Sequence, residues 1–118
     1  MIPLPDFTAE DIFRIHPKIR WAALANEKGE VLFMQMRPGL ESLSPPDQDR
    51  VFMQIGPLML VGVSERLAAW AGAVESVVIT FEKVGMVIAR VSGKYLALTV
   101  ERSDVSALPE IMTTLLKK

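Results

Sequence analysis

Residues 74–101 read VESVVITFEKVGMVIARVSGKYLALTVE, and the fold turns on that stretch. It divides into three β-rich runs, Val74 to Phe81, Met86 to Val91 and Tyr95 to Glu101. Val84-Gly85 marks the first connection and Ser92-Gly93-Lys94 the second. Connections this short imply antiparallel neighbours. The last run alternates, with Leu96, Leu98 and Val100 on one face and Thr99 and Glu101 on the other, the period of a strand.

Upstream, Ile19 to Asn26 and Val31 to Arg37 are two further strand-like runs. The polar, glycine-containing loop Glu27-Lys28-Gly29-Glu30 between them predicts a hairpin. Ile19, Trp21 and Ala23 are expected on one face, Ala22 and Leu24 on the other. Val31 and Phe33 likewise oppose Leu32, Met34 and Met36. A sheet with two apolar faces is normally covered on both sides.

Helices supply the cover. Ser44-Pro45-Pro46-Asp47 is a strong helix start: a capping serine, a proline in the first turn and a carboxylate at the positive end of the dipole. The helix is expected to run to about Ala71 and to end at Gly72. Gly56-Pro57 predicts a kink, because proline inside a regular helix costs ~3 kcal/mol or more. At the N-terminus, Thr8 and Asp11 have capping spacing before Ile12, Phe13 and Ile15, and Pro17 ends that short helix. At the C-terminus, Leu108, Ile111, Met112, Leu115 and Leu116 recur at helical spacing, with Pro109 in the first turn and a polar lead-in at Ser103 to Ser106.

The expected order is α-β-β-α-β-β-β-α. This is an α/β chain of the α+β kind, a three-layer α-β-α arrangement around a five-stranded antiparallel sheet, forming one domain over residues 1–118. The long helix takes one face and the terminal helices the other.

That helix carries more apolar surface than a sheet can use. Its apolar side chains span an arc of about 200°, where a helix lying on a sheet needs about 100°. A second copy of the chain is the expected cover for the excess. Val51, Phe52, Ile55, Leu58, Met59 and Val63 are the expected interface residues on the helix. Val77 and Ile79 join them from the following strand, because an unprotected apolar edge invites aggregation unless it is paired.

Composition narrows the function classes. The 118 residues are 50% hydrophobic, with 13 basic and 14 acidic side chains and a net charge of −1. No basic excess exists to bind phosphate backbones, so nucleic acid is not an expected partner. With no cysteine, disulfides, thiol catalysis and thiolate-bound metals are excluded. The longest apolar stretch, Val51 to Val63, is about 13 residues against the roughly 20 that a membrane span needs. The N-terminus lacks the pattern of a signal peptide, and the chain reads as cytoplasmic. His16 is the one histidine and has no visible orienting partner. Glu27, Glu30, Glu41, Asp47, Asp49, Glu75 and Glu82 are scattered and read as solubilising or capping groups. No glycine-rich phosphate loop and no nucleophile elbow is present. No catalytic residue, metal ligand or cofactor is therefore expected.

The element order resembles the roadblock (dynein light chain) family over nearly the whole chain. The resemblance is carried most by Glu75-Ser76-Val77-Val78-Ile79-Thr80, Gly85-Met86-Val87-Ile88-Ala89-Arg90-Val91 and Tyr95-Leu96-Ala97-Leu98-Thr99-Val100. It implies a non-enzymatic homodimer that scaffolds or regulates a partner, with a small Ras-like GTPase as one candidate. It also implies that the dimer pairs the long helices and joins the strands after them into one sheet. Profilin and longin folds have related topologies, and PAS-type sensors share a five-stranded sheet. The alternative is therefore a small-molecule-sensing domain, which would need an enclosed cavity of ~300 Å³ or more between sheet and helix.

Overall fold

A computed structural model describes residues 8–28, 30–40, 67 and 69–116. The elements are α1 (Ala9–Phe13), β1 (Trp21–Ala25), β2 (Val31–Met36), β3 (Ser76–Thr80), β4 (Val84–Val91), β5 (Lys94–Glu101), a 3₁₀ stretch (Arg102–Ala107) and α2 (Leu108–Leu116). The expected long helix lies outside the described residues except at its end. There residues 69–71 are helical, and Gly72 follows at φ +84°, the left-handed conformation that lets glycine terminate a helix.

The five strands form one sheet in the order β2-β1-β5-β4-β3, antiparallel at every junction. The fold is α+β, as the sequence predicts. β1 lies against β5, with Ala23 opposite Ala97, and every residue of β1 is buried.

The terminal helices share one face of the sheet. Thr8 and Asp11 cap α1 reciprocally: the Asp11 carboxylate accepts from the Thr8 amide at 2.8 Å and the Thr8 hydroxyl accepts from the Asp11 amide at 3.4 Å. α1 packs Ile12 and Phe13 on β1 and β2, and α2 packs Leu108, Ile111 and Leu115 over β4. Full burial of each such side chain contributes roughly 1.5–3 kcal/mol. On the opposite face, Trp21, Ala23, Ala25, Met86, Ile88 and Ala97 are buried as a second cluster.

Two local expectations are corrected. Ile19 does not share a face with Trp21 and Ala23; it packs with Ala22 and Leu24 beneath the terminal helices. β1 begins only at Trp21, so Ile19 sits in the turn before it, with its amide donating to the His16 carbonyl at 3.3 Å, and strand alternation does not apply. The first connection is not Val84-Gly85 either. The turn runs from Phe81 to Val84, closed by the Phe81 amide on the Val84 carbonyl at 2.8 Å, and Gly85 lies within β4. Its role is clearance: a Cβ there would meet Val105 Cγ1 at 2.7 Å.

Candidate functional site

β3 is an edge strand, and it follows directly on the helical turn that Gly72 ends. All its residues but Ser76 are β-branched, which suits an extended ladder, and none is charged. Val77 and Ile79 turn toward the second cluster and pack half-buried against it, opposite Ile88 and Met86 of β4. Val78 turns to the other face, opposite Val87, and is 44% exposed.

The backbone of β3 has a defined polarity. The Phe81 amide donates to Val84, and the Glu75 carbonyl accepts from the Arg90 amide at 2.9 Å, so residues of that parity point their N–H and C=O groups into β4. Ser76, Val78 and Thr80 have the opposite parity, and their groups point away from the sheet. Among the described residues no strand lies beyond them. An edge with outward amides, apolar side chains and no charge is a template for another strand.

Val77 and Ile79 thus lie together on this edge. Val51, Phe52, Ile55, Leu58, Met59 and Val63 lie outside the described residues. The helical turn ahead of β3 adds a feature that sequence projection does not single out: Trp70 is 79% exposed, with Leu67 three residues before it at 42%. Tryptophan is over-represented among residues that dominate protein interfaces. Small alanines flank Trp70, so no period marks it.

His16 has a structural setting. Its Nδ1 accepts from the Lys18 amide at 3.1 Å, which leaves the proton of the neutral ring on Nε2, 3.4 Å from a Glu110 carboxylate oxygen. The ring ties the turn after α1 to the first turn of α2. Arg37 binds the same turn from the end of β2. Its guanidinium donates to the carbonyls of Ile19 at 2.7 Å and of Phe13 and His16 at 2.9 Å, and its Cζ lies 5.0 Å from the Phe13 ring centroid.

Among the described residues no three of His, Asp or Glu gather as metal ligands. No helix among them is long and apolar enough to cross a membrane. An open cleft of about 290 Å³ lies between two hairpin turns, lined by Asn26, Glu27, Lys28, Glu30, Ser92, Gly93 and Lys94. It is a surface feature at one end of the sheet, distinct from the enclosed space between sheet and helix that a ligand sensor would use.

This sheet, with terminal helices on one face and an open third strand, is the architecture of the roadblock fold. The solved structures it resembles say the same. The gliding protein MglB from Thermus thermophilus superposes with a TM-score of 0.67 at 16% identity, over 87% of this chain and 73% of that one. The Roadblock/LC7 domain from Streptomyces avermitilis gives a TM-score of 0.61 at 21% identity, over 92% of this chain and 88% of that one. Myxococcus xanthus MglB gives 0.65 at 8% identity, over 93% and 90%. No family model and no curated protein matches the sequence. The likeness is therefore one of fold.

Proposed function

We propose that this protein is a non-enzymatic scaffold or regulator that works as a homodimer, with a small Ras-like GTPase as its candidate partner class. One observation carries the reading: β3, on a roadblock fold, presents an uncharged apolar edge with outward-pointing amides. Water solvates such an edge, but any strand that pairs with it also buries the apolar side chains beside it. A second copy carries the same edge and satisfies both at once. The partner class comes from the family resemblance, as does the absence of catalysis.

Light scattering coupled to size exclusion tests the dimer. The expected mass at tens of micromolar is twice the 13.1 kDa of one chain. Ile55→Asp would place two like charges close together in an apolar contact, where desolvation of each costs several kcal/mol. The variant is expected to fall to the single-chain mass or to precipitate. A wild-type mass of one chain sinks the proposal. For the partner class, nucleotide exchange and hydrolysis are measured on the small GTPases of the same organism with and without the protein. Unchanged rates and no binding across that set would remove the GTPase from the reading.

A further inference from the structure

We infer that α1, the 3₁₀ stretch and α2 form one cooperative layer that opens from the sheet as a unit, with the turn after α1 as its clasp. The inference is independent of the self-association proposed above, because β3 takes no part in it.

The ion pairs reveal the clasp. His16, Lys18 and Arg20 stand at every second position of the turn, and each meets a carboxylate in the stretch from the end of β5 into α2. His16 Nε2 lies 3.4 Å from Glu110, Lys18 Nζ 3.9 Å from Asp104 and Arg20 Nη1 2.7 Å from Glu101. Lys18 and His16 thus hold the 3₁₀ stretch and α2. Arg20 fixes the turn to β5, where its amide also donates to the Thr99 carbonyl at 2.8 Å. Arg37 binds the carbonyls of Phe13 and His16, so the end of α1 is attached to the same turn.

Neither helix is long enough to stand alone. α1 has 5 residues and α2 has 9, whereas isolated helices shorter than ~12–15 residues are marginal in water. Their order comes from one shared apolar cluster, in which Ile12 and Phe13 of α1 and Leu108, Ile111 and Leu115 of α2 lie over the sheet. The loss of either helix removes part of the cluster that orders the other. Nothing in the 3₁₀ stretch between β5 and α2 is buried. The sheet beneath is held by its own ladders, with β1 paired on both sides. Opening the layer breaks the clasp and the cluster but leaves those ladders. It uncovers Ala22, Leu24, Leu96 and Leu98, which are at most 3% exposed when the layer is closed. Sub-global units of this kind open at a lower free energy than the whole fold.

Native-state hydrogen exchange on the full chain tests the layer. The amides of Arg14 and Ile15, which close the end of α1, and those of α2 are expected to share one protection factor, at least about ten-fold below that of the β1 and β5 amides. Ile111→Ala empties a fully buried site in α2. It is expected to speed exchange in α1 and α2 by the same factor, about 30-fold or more. Asp104→Lys tests the clasp without touching the core: both helices are expected to exchange about three-fold faster. Adding Lys18→Asp to that variant reverses the pair and is expected to restore the wild-type rates. Asp104→Lys also serves if Ile111→Ala does not fold, as judged by circular dichroism. Faster exchange in α2 alone, in either variant, overturns the cooperative layer. Equal protection of the layer and of β1 and β5 overturns it too, since the fold then opens only as a whole. Unchanged exchange in Asp104→Lys overturns the clasp.

Discussion

Arg37 shows how one side chain sets the angle between elements. Its guanidinium replaces water on three carbonyls at once, those of Phe13, His16 and Ile19, and covers the Phe13 ring. Two of these carbonyls belong to the end of α1 and the turn after it, where backbone acceptors lack helical partners and the dipole favours a cation. Arg37→Ala removes the guanidinium donor from all three part-buried carbonyls, of which that of His16 still accepts from the Ile19 amide at 3.3 Å. The expected loss is about 2–3 kcal/mol, since hydrogen bonds to charged groups contribute roughly 1.5–3 kcal/mol. Urea unfolding measures it, and a loss below about 0.5 kcal/mol would mean that water replaces the arginine without cost. Lysine cannot reproduce the fork, so Arg37→Lys is expected to recover only a minor part. His16→Ala is the contrast. Its carboxylate partner Glu110 has a side chain 75% exposed, so the variant is expected to lose less than about 1 kcal/mol and to keep its assembly state.

At the scale of elements, the sequence states local rules clearly and long-range ones poorly. The Thr8–Asp11 cap, the hairpin loop after Asn26 and the alternation of Leu96, Leu98 and Val100 depend on neighbours a few residues away, and all are legible before folding. Asn26 even closes its own loop, its side-chain oxygen accepting from the amides of Lys28 and Glu30 at 3.0 Å. Gly85 is the opposite case. By composition it reads as turn, but its missing side chain makes room for Val105, which arrives from a different element. The candidate site divides the same way. Val77 and Ile79 follow from strand period, whereas the edge position of β3 depends on β1 pairing with β5, which no local pattern encodes. Gly85→Ala tests the clearance argument. The new methyl forces Val105 or the 3₁₀ stretch to shift, and overpacking of this kind costs typically ~1–3 kcal/mol. A lowered urea midpoint with an unchanged slope is the expected result. No change would mean that the 3₁₀ stretch lifts freely from β4.

At the scale of the whole molecule, the sheet order leaves two edges among the described residues, β3 and β2, and they differ in what stands beside them. β3 follows a helical turn with exposed Leu67 and Trp70, so a copy meeting it finds side chains as well as amides. β2 follows its hairpin loop directly, with a register shift at Leu24/Ala25 in its pairing with β1. Yet β2 has no charge or proline from Val31 to Met36, and Val31 and Leu32 are 38% and 50% exposed. An unguarded apolar edge associates without specificity once concentration rises. The proposed dimer is therefore expected to form larger species through β2 at high concentration, and Leu32→Lys is expected to suppress them by placing a like charge at every such junction. Its substitution leaves β3 untouched, so the dimeric mass at low concentration should not change. Light scattering across a concentration series separates the two edges. If Leu32→Lys instead reduces the protein to a single chain, β2 carries the dimer, and β3 is the edge left for other partners.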